Sequence, residues 1–158
     1  MSEHILKTNN LNSGQKIAVK YFSGAIVLFT AQIIFGLLAG IQFNNPDFLY
    51  EIIDFNVNRM VHINAMIIWL LFGFIGSIYW MVEEEAKTEL VGKKLANLGF
   101  WLLTIAVTIV VLVYLIVQSG GGNKTSLWLI NEGREYIEAP RWADIGIVLV
   151  MLIFFYNI

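Results

Sequence analysis

Within the long apolar runs of this chain, His62 is the only side chain of the Asp, Glu, Lys, Arg and His set. An ionisable group at membrane depth is costly, which makes it a functional candidate by default. Imidazole is also a common axial ligand of haem iron. Arg59 lies three residues earlier, a spacing that puts both side chains on one face of a helix. A guanidinium at the membrane edge can pair with a carboxylate, such as a haem propionate, while the imidazole reaches the metal. The competing reading is a polar interface histidine hydrogen-bonded to a neighbouring helix. Spacing alone does not separate the two.

A second group lies in Gly133-Arg134-Glu135-Tyr136-Ile137-Glu138-Ala139-Pro140. Glu135 and Glu138 share a face if this is a helical turn. Paired carboxylates suit a hard cation such as Ca²⁺, or a proton relay. The plainer alternative is a solvated charged loop. Glu83-Glu84-Glu85 reads as a solvated helix end, and Gly36 and Gly40 as a small-xxx-small packing pair. The five tryptophans, Trp69, Trp80, Trp101, Trp128 and Trp142, read largely as an interfacial belt. Met60, Met66, Met81 and Met151 offer sulfur, but packing is their expected role.

The elements that must hold these groups are membrane helices. Hydrophobic residues make up 58% of the chain and charged residues 14%, against about 45–50% and about 25% in soluble domains. Tyr21 to Pro46, Met60 to Val82 (His62 apart) and Leu95 to Asn123 carry no formal charge. Each exceeds the roughly 20 residues that span a bilayer as a helix, and none alternates as a barrel strand would. Ile145 to Ile158 is shorter and reads as the start of a fourth helix. The expected organisation is all-α: a tail over 1–20, transmembrane segments over 21–46, 60–82 and 95–119, an outer loop over 120–144 and a truncated fourth segment over 145–158.

The tail lacks the pattern of a cleaved signal, so the first apolar run is expected to be an uncleaved anchor. Lys7, Lys16, Lys20, Lys87, Lys93 and Lys94 fall on one side of the membrane, and Arg59, Lys124, Arg134 and Arg141 on the other. That bias predicts a cytoplasmic N-terminus. A net charge of −2 with no basic stripe argues against a nucleic-acid partner. The absence of cysteine excludes disulfides and thiolate metal sites within this chain.

Phe55-Asn56-Val57-Asn58-Arg59-Met60-Val61-His62, continued by Ile63-Asn64 and then Trp69-Leu70-Leu71-Phe72-Gly73-Phe74, closely resembles the helix-two signature of the nitric oxide reductase large subunit. Gln32 to Leu37 looks like its first helix, and Gly133 to Pro140 like its outer-loop motif. The resemblance implies the branch of the haem-copper oxidase superfamily that reduces two nitric oxide molecules to nitrous oxide and water. It implies a bundle of about twelve helices in the bacterial inner membrane. Its cofactors would be a low-spin haem b, a high-spin haem b, a non-haem iron and calcium, and its partner a membrane-anchored haem c subunit. His62 matches an axial ligand of the low-spin haem b, and Arg59 a residue near the propionates. Glu135 matches a ligand of the calcium, and Glu138 a glutamate of the catalytic region or its proton supply.

Two departures stand out. The family commonly has proline after helix two where this chain has Glu83, which leaves the shape of that turn open. The other haem and iron ligands fall outside the chain, whose only other histidine is His4, so this piece alone is expected to be inactive. The short polar start favours the cytochrome-c-dependent form over its quinol-dependent relatives. Two rivals remain at this point: a C-type haem-copper oxygen reductase, and a small non-catalytic membrane protein serving assembly or interaction.

Overall fold

A computed structural model describes residues 11–119 and 141–158. The described residues form four α-helices: α1 (Ser13–Asn44), α2 (Phe55–Ala86), α3 (Lys93–Ser119) and α4 (Arg141–Asn157). Three are long and apolar enough to cross a membrane, with mean hydropathies of 2.2, 2.0 and 2.5, and Trp142–Asn157 is a shorter apolar helix. Most of each span's apolar surface stays outside the core, as with Leu37, Leu70 and Ile105. Helices whose outer surface is this apolar suit lipid or further helices, not water.

α1 runs along α2, and α3 packs mainly on α4. Between apolar helices in lipid, close packing and hydrogen bonds do the work that water exclusion does elsewhere. The buried stripe of α1, Gly14, Ala18, Tyr21 and Ala25, recurs every three or four residues and is mostly small. Its aromatic member, Tyr21, meets Phe72, Tyr79 and Phe100 at ring-centroid distances of 5.6, 5.7 and 5.3 Å. The Tyr21 hydroxyl donates to the Ala96 carbonyl at 3.2 Å, so α1 is tied to α3 through a satisfied polar tip. Phe154 of α4 closes the cluster against Tyr79 at 5.6 Å. Ser23, Thr30, Ser77, Thr104 and Thr108 each donate to a carbonyl one turn back, which keeps their hydroxyls satisfied within an apolar helix.

Polar clips hold both ends of the α1–α2 pair. At the end carrying their loop, Asn58 is fully buried and donates to Gln42 Oε1 at 2.7 Å. The Gln42 amide in turn donates to the loop carbonyls of Phe48 and Ile53 at 2.9 and 2.7 Å. Asp54 caps α2 by accepting from the Val57 N–H at 2.8 Å. At the other end Glu83 is 3% exposed. Its Oε1 accepts from the Gly14 N–H at 3.0 Å and the Leu90 N–H at 2.8 Å. A carboxylate beside the first turn of α1 answers both an orphan donor and the positive end of the helix dipole. The reading of Glu83 as solvated is therefore corrected; Glu84 and Glu85 are exposed as expected.

The helices overrun the charge-free runs. α1 begins at Ser13, after the N-cap Asn12, and carries Lys16 and Lys20 on its exposed side, where Lys20 donates to Asn97 at 2.6 Å. α2 begins at Phe55 and continues through Glu83 to Ala86, where Lys87 ends it in a left-handed conformation, φ 51°. A turn after Val82 is thus absent. Glu89 pairs with Lys93 at the entry to α3, which holds its carboxyl below the usual range.

Candidate functional site

His62 sits two turns into α2, half-buried against α1. Its Nδ1 lies 2.8 Å from the backbone oxygen of Gln32. A carbonyl oxygen only accepts, so Nδ1 carries the proton, and in the neutral ring the lone pair is on Nε2. No hydrogen-bond partner meets Nε2 among the described residues. An imidazole bonded through one nitrogen to a carbonyl, with the other nitrogen bare, has the arrangement of a metal-ligating histidine. The two readings of His62 thus turn out to be compatible: it is bonded to a neighbouring helix, and its Nε2 meets no partner among the described residues.

The surroundings of the ring come from α1. Gly36 faces it so closely that a Cβ there would lie 2.5 Å from Nδ1 and 2.6 Å from Cε1. Gln32 receives a second bond, from Trp69 Nε1 to its side-chain oxygen at 2.7 Å. Phe29 meets Trp69 edge-on with ring centroids 5.1 Å apart. Thus Phe29, Gln32 and Gly36 on α1 face His62 and Trp69 on α2, each set at helical spacing. Trp69 is mid-helix and hydrogen-bonded, not part of an interfacial belt. Gly40 has nothing within 4 Å, so only Gly36 of the expected pair makes a close approach.

Arg59 is half-buried on the same helix, three residues towards the α1–α2 loop. Glu135 and Glu138 lie outside the described residues. Among the described residues no three His, Cys, Asp or Glu side chains converge as a metal cluster. A cavity of about 100 Å³ between the four helices is lined by apolar side chains and Asn64, so it offers no strong ligand. Of the described groups named from the sequence, His62 is the one whose geometry suits a metal. Beside it, Met66 and Leu70 stay exposed, as do Ile33 and Leu37 on α1, so among the described residues nothing covers this side of the helix pair.

The family model described as cytochrome c and quinol oxidase polypeptide I matches residues 16–158. The chain belongs to that family. It is also similar to a nitric oxide reductase subunit of Stutzerimonas stutzeri, with 43% identity over 146 residues, 91% of this chain. The chain spans 31% of the length of that relative. The expected resemblance to the nitric oxide reductase large subunit is thereby borne out, as is the all-helical membrane fold. Membership of a haem-copper oxidase family implies haem cofactors, and the donor set around His62 fits one: a bare imidazole nitrogen on an apolar helix, with a guanidinium one turn away.

Sequence reasoning missed Gln32 and the structural role of Trp69, and took Gly36 for packing alone. A polar Gln32 in the middle of the charge-free run of α1 was the available signal. Its meaning depends on the register between two helices, which no local pattern fixes.

Proposed function

We propose that this chain is the N-terminal part of the large subunit of a cytochrome-c-dependent nitric oxide reductase. The whole enzyme would convert two nitric oxide molecules, two electrons and two protons to nitrous oxide and water. The reading is carried by the 43% identity over 91% of the chain, and the bare Nε2 of His62 is consistent with it. His62 would ligate the iron of a low-spin haem b, and Arg59 would pair with a propionate. When bound, that haem supplies one-electron transfer between the haem c of a membrane-anchored partner and the catalytic centre. The remaining ligand of that haem, the high-spin haem b and the non-haem iron would be held by the remainder of the enzyme's large chain. Glu135 would ligate calcium, and Glu138 would serve the catalytic region or its proton supply. The protein would lie in the bacterial inner membrane with its N-terminus cytoplasmic.

Within this chain, α2 presents the imidazole, α1 holds its orientation through Gln32, and the uncovered side beside Met66 and Leu70 admits a flat apolar group. The test is a reduced-minus-oxidised optical spectrum of the intact subunit, purified with its partner, wild type beside His62→Ala. Low-spin haem b bands in wild type and their loss in the variant are expected. Bands that persist unchanged in the variant would make His62 a packing residue and remove the haem assignment.

A further inference from the structure

We infer that Gly36 is a positioning residue for His62: lacking a side chain, it uncovers the Gln32 carbonyl so that this oxygen can take the imidazole Nδ1–H. The inference rests on the proposal that His62 is a haem ligand and goes beyond it by naming what sets the ligand's tautomer and orientation. In an α-helix the carbonyl of residue 32 points along the axis at the N–H of residue 36. Its second lone pair is open to a neighbouring helix only where the side chain one turn on leaves room. Here a Cβ on Gly36 would lie 2.5 Å from Nδ1, 2.6 Å from Cε1 and 3.3 Å from Cγ, over the ring edge that makes the bond. Such a contact cannot coexist with the 2.8 Å bond to Gln32. The Trp69 indole, bonded at 2.7 Å to the Gln32 side chain, braces the same residue of α1 from two turns further along α2.

A carbonyl bonded to Nδ1–H fixes Nε2 as the ligating nitrogen and makes the imidazole a stronger donor, which favours ferric over ferrous iron. Loss of the bond therefore raises the midpoint potential of the haem. Gly40, one turn on and with nothing within 4 Å, supplies the matched control.

The experiment is a potentiometric titration of the low-spin haem, with its ferric electron paramagnetic resonance spectrum, in the intact subunit complexed with its partner. Wild type, Gly36→Ala, Gly40→Ala and His62→Ala are compared. The expected result is an upward potential shift and altered resonance positions in Gly36→Ala, with Gly40→Ala matching wild type. Wild-type values in Gly36→Ala, or equal shifts in both glycine variants, overturn the inference. His62→Ala reports separately on the ligand assignment: retained haem there sinks that reading, not the Gly36 geometry. If Gly36→Ala does not accumulate, histidine ring vibrations of the wild-type protein, before and after exchange into deuterium oxide, decide. A His62 Nδ1–H bonded to a carbonyl supports the inference, and an unbonded one overturns it.

Discussion

An imidazole in an apolar helix needs a partner for its N–H, and a ligand needs its other nitrogen left bare; His62 meets both demands through one backbone oxygen. The neighbouring Trp69–Gln32 bond is less demanding, because Trp69→Phe keeps the aromatic ring against Phe29 and deletes only the N–H donor. Interhelical hydrogen bonds in membranes average about 0.6 kcal/mol and reach about 1.7. A double-mutant cycle of Trp69→Phe and Gln32→Leu, read from unfolding in detergent, is expected to give a coupling in that range. Additive single effects would show that the two side chains do not interact. His62 was legible in the sequence because it is the lone ionisable group in an apolar run. The residues that orient it were not, since Gln32, Gly36 and Trp69 acquire meaning only when α1 and α2 are in register.

At the scale of the helix, the spans were legible and their ends were not. Hydropathy marks where lipid is tolerated, but a helix runs on wherever exposed positions can carry charge, as Lys16 and Lys20 do on α1. Glu83 shows the opposite failure. Read with Glu84 and Glu85 it looks solvated, yet the helical rotation buries the first and exposes the other two. Its Oε1 joins the start of α1 to the segment leading into α3. Glu83→Ala leaves the Gly14 and Leu90 N–H groups without their acceptor, at about 1–3 kcal/mol for each donor that stays buried. Glu83→Gln keeps an acceptor oxygen. The expected thermal unfolding midpoints of the intact subunit in detergent therefore fall by several degrees for alanine and much less for glutamine. Equal midpoints for wild type and alanine would remove Glu83 from the forces holding the helix ends together.

At the scale of the whole molecule, the four described helices leave a long apolar surface exposed, and the chain spans 31% of the relative's length. The family fold supplies a use for that surface, in the bilayer and against further helices. Orientation then decides which compartment the His62 end of α2 faces. His62 is seven residues from the start of α2 at Phe55, about 10 Å at 1.5 Å per residue. An electron donor outside the cytoplasm can serve a haem at that depth only if the α1–α2 loop is also outside. The basic residues favour that arrangement, six to four, with the N-terminal segment and the α2–α3 connection inside. Glu51 in the first loop and Lys87 after α2 are both exposed, so single cysteines at these sites report on the two sides. In intact cells with a permeabilised outer membrane, a membrane-impermeant maleimide is expected to label Glu51→Cys. It should reach Lys87→Cys only after the inner membrane is opened. The reverse pattern would place His62 near the cytoplasmic face, and electron entry from an external haem c at this ligand would fail with it.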